Sequence, residues 1–68
     1  MENVSWHVNM DKHRATWFYF TGNPQGGGFG SNHCGSKKVA LAKAIRNIPQ
    51  GAQFDLRVNG KNCGVQTR

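Results

Sequence analysis

The sequence predicts a small α+β domain, an antiparallel sheet of three to four strands packed on a single helix in the order β-β-α-β-β. Three observations predict it. Apolar and polar residues alternate near both ends of the chain, one stretch between them has helical spacing, and Asn59-Gly60 is the strongest short hairpin signal available. Sixty-eight residues suit one domain, 1–68, with no internal repeat or linker. A chain this short buries only about 60% of the surface its unfolded form exposes. Its apolar residues, 37% of the total, suffice for one layer of sheet on one helix and argue against disorder.

The first strand is read from Val4 to Met10, with Val4, Trp6 and Val8 on one face and Ser5, His7 and Asn9 on the other. Asp11 to Arg14 is a polar turn, and Ala15 to Thr21 an aromatic second strand that closes a hairpin. That strand puts Trp17 and Tyr19 on one face and Phe18 and Phe20 on the other. One pair packs on the core. The other is either covered by the loop that follows or exposed as a contact surface.

Gly22 to Gly35 holds six of the nine glycines and has no periodicity, so it reads as a long mobile loop with Phe29 as its only large apolar anchor. Ser36 is a good N-cap for a helix from about Lys37 to Asn47, ended by Pro49. Leu41, Ile45 and Ile48 form its apolar stripe, flanked by Ala42 and Ala44, with Lys43, Arg46 and Asn47 facing away. Phe54, Leu56 and Val58 alternate with Asp55 and Arg57 in the next strand. Its return partner, Lys61 to Thr67, is expected to set Cys63 and Val65 opposite Leu56 and Phe54 on the core face.

Nine Lys and Arg against three acids give a net charge of +6, a field that draws phosphate backbones, anionic membrane surfaces or acidic protein faces. The alternative is that this charge serves solubility alone. The basic residues Lys12, Arg14, Lys37, Lys38, Lys43, Arg46, Arg57 and Lys61 are spread over several elements, which fits salt-sensitive phosphate contact better than base-specific reading. Ser36, Lys37 and Lys38 concentrate charge where the glycine loop meets the helix, and Trp17 or Tyr19 are candidates for stacking contacts. Met1 to Met10 lacks the basic start and apolar run of a secretory signal, and the aromatic run Trp17 to Phe20 is too short to cross a bilayer. Two cysteines without a signal read as reduced thiols in a cytoplasmic protein that does not act at a membrane, with a Cys34–Cys63 disulfide as the alternative.

Several chemistries are argued against. Gly30-x-x-x-x-Gly35-Ser36-Lys37 approaches the phosphate-cradling G-x-x-x-x-G-K-[ST], but with the last two positions exchanged and no parallel α/β context. His7, His13, His33, Cys34 and Cys63 lack the spacing of a structural zinc site, so no metal or other cofactor is expected. Cys63 reads as a small core residue. Cys34 lacks a visible orienting partner for nucleophilic work, and only Glu2, Asp11 and Asp55 are available for acid–base chemistry. The expectation is a binding module that is not an enzyme.

Trp6-His7-Val8, Trp17, Ser36-Lys37 with Ala40, and the run Leu56 to Gly64 resemble the pattern of a family of very small bacterial and phage domains catalogued only as a domain of unknown function. The resemblance covers most of the chain, implies the β-β-α-β-β order and supplies no catalytic residues. Two functions are therefore expected. One is a nucleic-acid-associated module. The other is a phage- or mobile-element-type modulator that binds and inhibits a host protein or complex, through an acidic or nucleic-acid-binding partner. An exposed edge strand would also permit a homodimer.

Overall fold

The structure, a computed structural model, describes residues 6–68. The elements are β1 (Trp6–His13), β2 (Thr16–Gly22), β3 (Gly28–Cys34), α1 (Lys37–Ile45), β4 (Gln53–Val58) and β5 (Lys61–Thr67). The small α+β architecture with one helix is as the sequence predicts. The sheet is larger and differently wired: five strands in the order β3-β2-β1-β4-β5. The expected order β-β-α-β-β is thus corrected to β-β-β-α-β-β, and Val4 lies outside the described residues.

β1 and β2 form the expected antiparallel hairpin, but Asp11, Lys12 and His13, read as part of the turn, continue β1, and His13 lies opposite Thr16 across a two-residue turn. Arg14 holds that turn with φ 60°, a left-handed conformation costly for a side chain with a Cβ. β3 extends the sheet antiparallel to β2, so it runs in the same direction as β1. β4 then docks parallel to the free edge of β1, with Trp6 beside Phe54 and Met10 beside Val58. The sheet is consequently mixed, not antiparallel throughout. The segment β3-α1-β4 is a crossover between two like-directed strands separated by β2 and β1, and a helix is the usual way to make one.

The glycine-rich stretch is the principal departure from the sequence reading. What reads as a mobile loop over 22–35 is a tight turn followed by a strand. Asn23 organises the turn. Its side-chain Oδ1 accepts from the backbone N–H groups of Gln25 and Gly27, each at 3.0 Å, and its own N–H donates to the Gly27 carbonyl at 2.8 Å. β3 carries almost no apolar payload, since only Phe29 and His33 are partly buried. Its place is fixed by backbone pairing with β2.

The core lies between one sheet face and the helix. Val8, Met10, Trp17, Tyr19, Thr21, Phe54, Leu56 and Val58 meet Ala40, Ala44 and Ile48. The helix is rotated from the expected stripe. Ala40 and Ala44 are its fully buried positions, Leu41 and Ile45 pack at the flanks, and Ala42 is exposed. Small side chains let the helix axis approach the large rings of Trp17 and Tyr19, which lie beneath it. Ser36 caps the start as expected, its Oγ accepting from Val39 N–H at 3.2 Å.

The end of α1 comes earlier than predicted, and the carbonyls of its last turn and of the residues just beyond it find donors nearby. The Thr21 hydroxyl donates to the Ala44 carbonyl, Ile48 N–H donates to Ile45 at 2.9 Å, and the Arg68 guanidinium donates to the Arg46 and Ile48 carbonyls at 3.4 and 2.6 Å.

The second hairpin forms at Asn59-Gly60 with positive φ at both residues. Its far half departs from the expected register. A bulge at Gly64 (φ 91°) shifts the pairing by one residue, so Val65 lies opposite Asp55 and not Phe54. Val65 is thereby turned to the face away from the helix and is 51% exposed. Cys63, expected in the core, is exposed as well. The helix lies over β2, β3 and β1 and does not reach β5.

Candidate functional site

Only one sheet face has a helix over it. Among the described residues no helix or loop covers the other, and cross-strand register sets its side chains in rows. In one row Asn32, Phe18 and Asp11 stand side by side on β3, β2 and β1. In the next are Gly30, Phe20, Asn9, Arg57 and Asn62. A third holds Gly22, His7, Asp55 and Val65. The aromatic residues are at the centre of the three-strand half, Phe18 45% and Phe20 46% exposed.

Phe20 lies on a floor of glycine. A Cβ built on Gly22, Gly28 or Gly30 would come within 3.3, 2.7 or 3.4 Å of its ring atoms. The ring thus occupies the space where three side chains would stand, which braces it against backbone while leaving nearly half of the residue in solvent. Beside it, Asn9, Asp11, Phe18, Phe20 and Asn32 line a shallow open depression of about 450 Å³. That volume falls within the range of small-molecule sites.

The polar groups of this face divide in two. His7 Nδ1 and the Asp55 carboxylate are paired at 3.3 Å, both well exposed. Asn23, Asn59 and Asn62 are occupied by turns, the last two accepting from Lys12 N–H at 2.8 Å and Gly64 N–H at 2.9 Å. By contrast, no hydrogen bond or ion pair engages the side chains of Asn9, Asp11 or Asn32 among the described residues. These three surround the Phe pair.

The topology also gathers charge. β1, β3 and β4 point the same way, so their carboxyl ends share one end of the sheet with the start of α1. Gly35 N–H donates to Ala15 O at 3.3 Å, joining the β3–α1 connection to the β1–β2 turn, and Asn59 N–H donates to Met10 O at 2.7 Å, joining the β4–β5 turn to β1. Lys12, Arg14, Lys37, Lys38 and Lys61 all belong to this end, along with Ser36. Lys12 Nζ sits 5.9 Å from the Trp17 ring centroid, a cation–π distance.

The predicted site residues separate accordingly. Lys12, Arg14, Ser36, Lys37, Lys38 and Lys61 are brought to one end of the sheet. Lys43 and Arg46 lie at the opposite end of α1, and Arg57 sits mid-sheet on the open face. Trp17 and Tyr19 are a correction. At 7% and 8% exposure they are core residues with no free ring face to stack on, because they share the helix-facing side with Val8 and Met10.

Neither charge nor motif marks Phe18, Phe20, Asn9, Asp11 or Asn32 in the sequence. Their signal is the alternation of β2 together with Gly28 and Gly30 facing Phe20. The histidines and cysteines form no cluster, and among the described residues no three His, Cys, Asp or Glu side chains gather at one point. Cys34 and Cys63 are free and lie on opposite edge strands.

No protein-family model, curated protein or solved structure matches this chain. No helix among the described residues is long and apolar enough to cross a membrane.

Proposed function

We propose that this domain binds single-stranded nucleic acid, stacking bases on Phe18 and Phe20 while its cationic end holds the phosphates. The observation that carries this is the exposed aromatic pair, one ring braced on glycine, set among unpartnered polar side chains. Aromatic faces bind bases of any sequence, and hydrogen-bonding groups beside them reach base edges once the bases are unstacked. The net charge of +6 supplies the long-range attraction. Phe18 is four residues along the chain from Arg14, about 13 Å at strand rise, so stacking and phosphate contacts fall within a few nucleotides of one another. Relative to the sequence reading, the partner class is retained and the contact surface moves from the helix to the open sheet face and its basic end.

The test is fluorescence anisotropy with labelled single-stranded RNA and DNA octamers at about 50 and 200 mM salt. Binding at the lower salt that weakens steeply at the higher is expected, together with its loss in the Phe18→Ala, Phe20→Ala double variant. The reading is wrong if no octamer binds at low salt, or if the double variant binds as well as the parent while its circular dichroism is unchanged. A parent that sediments as a dimer, dissociated by the same double substitution without effect on octamer binding, would make the face an interface between copies or with another protein.

A further inference from the structure

We infer that the Phe18 position is a guanine subsite, in which the base stacks on the Phe18 ring and the Asp11 carboxylate accepts hydrogen bonds from its Watson–Crick edge. This rests on the single-stranded nucleic-acid reading and adds base identity to it. The register places Asp11 directly across from Phe18 on β1 and Asn32 directly across from it on β3. Directly opposed positions hold their Cβ atoms about 4.5–5.5 Å apart, so a planar group over Phe18 has its edges within reach of both. All three side chains line the same 450 Å³ depression.

The chemistry of the pair selects the base. An ionised carboxylate only accepts, and it has two oxygens side by side. Among the four bases, guanine alone presents two adjacent N–H donors on its Watson–Crick edge, N1–H and the N2 amino group, and these match a carboxylate in parallel. Adenine and cytosine offer one amino group next to an acceptor nitrogen, which the carboxylate repels, and uracil or thymine offers one N–H between two carbonyls. On the other side the Asn32 carboxamide can donate from its amino group to O6 or N7 of guanine, its oxygen taking no part in that contact. Asp11 is free to serve because nothing among the described residues pairs with it, whereas Asp55 on the same face is paired with His7.

A carboxylate on a nucleic-acid-binding face also repels phosphate, and this yields a test with two opposite signs. Octamers of uridine or thymidine are compared with the same octamers carrying one central guanine, at about 50 mM salt, by fluorescence anisotropy on the full chain. The parent is expected to bind the guanine octamer about tenfold more tightly. Replacing that guanine by inosine, which keeps N1–H and lacks the N2 amino group, is expected to remove most of the gain. Asp11→Asn is expected to bring the two octamers within twofold of each other while tightening binding of the guanine-free one, since a negative charge is removed.

Asp11 is exposed, so the variant's fold is verified by its circular dichroism and thermal midpoint. Octamer binding without a guanine preference, a preference that persists with inosine, or a preference that survives Asp11→Asn overturns the subsite and leaves the broader reading standing. No binding of any octamer overturns both.

Discussion

The Thr21 hydroxyl donates a hydrogen bond to the carbonyl of Ala44, joining the middle of the sheet to the last turn of the helix in a place with no solvent access. Ala44 is among the last four carbonyls of α1, which lack partners inside the helix. Thr21→Val keeps the shape and removes the donor, leaving that carbonyl buried. The expected cost is about 1–3 kcal/mol, whereas Thr21→Ser, which keeps the hydroxyl, costs less. For a domain of this size each 1 kcal/mol lowers Tm by about 4–8 °C, so differential scanning calorimetry resolves the two. Equal melting of the valine and serine variants would refute the role assigned to the bond.

Arg14 supports an experiment in which stability and binding move in opposite directions. Its φ of 60° costs about 1 kcal/mol that glycine does not incur. Arg14→Gly is expected to raise stability by up to about 1 kcal/mol, the gain being limited by the extra freedom glycine has in the unfolded chain. The same change removes a cation from the basic end, and the slope of log affinity against log salt should fall by about 0.7. Arg14→Lys keeps the strain and the charge and should alter neither quantity.

Gly28 is expected to tolerate no side chain. A Cβ there would stand 2.3 Å from the Thr21 carbonyl and 2.7 Å from the Phe20 ring, backbone on one side and a braced ring on the other. Gly28→Ala therefore forces β3 away from β2 and costs about 1–3 kcal/mol. At Gly30 the nearest atoms are 3.3 and 3.4 Å away, so Gly30→Ala costs less. Chemical denaturation of the two variants gives the order, and the reverse order would contradict the glycine floor described for Phe20.

The two thiols cannot meet within one molecule. Four strand spacings separate β3 from β5, about 19 Å, against the 7 Å limit on Cα separation in a disulfide. Oxidation should therefore join molecules edge to edge, producing a ladder of oligomers on a non-reducing gel. Cys34→Ser and Cys63→Ser should each stop at the dimer. A monomer that migrates faster after oxidation would show an internal bond and contradict the strand order.

Much of this fold was legible in the sequence, because most elements announce themselves through side chains. Val8, Leu56 and Val58 alternate with polar residues, Ser36 is followed by helical spacing, and Asn59-Gly60 is a turn that few other dipeptides make so well. β3 was not legible because its position owes little to its side chains. Gly28 and Gly30 are in the strand to make room for Phe20 on the neighbouring one, a demand visible only once the two are paired. The parallel pairing of β1 with β4 follows from β3, since a third strand before the helix reverses the chain once more. The bulge at Gly64 had a similar effect on β5, where one inserted residue sends Val65 to the opposite face.

The candidate site was legible in part. The basic concentration around Ser36, Lys37 and Lys38 was visible along the chain, and Lys12, Arg14 and Lys61 join it through strand direction. The aromatic assignment was within reach of parity alone. Any even-length turn between β1 and β2 sets Val8 and Met10 beside odd-numbered residues of β2, which puts Trp17 and Tyr19 inside and Phe18 and Phe20 outside. Asp11 and Asn32 have no sequence signal of their own. They acquire meaning only as the two cross-strand neighbours of Phe18.

Because β1 sits in the middle of the sheet, its two edges are filled at very different times during synthesis. β2 pairs with it almost at once, but the strand that covers its other edge begins at Gln53. A nascent chain that has emerged only as far as Cys34 is a three-stranded meander whose Trp6, Val8 and Met10 have neither helix above them nor a strand beside them. Such an intermediate presents an apolar, unpaired edge, the kind of surface on which incomplete chains associate. The solubility of the whole molecule during its making thus depends on its last quarter, and fragments that stop before β4 should aggregate where the full chain does not.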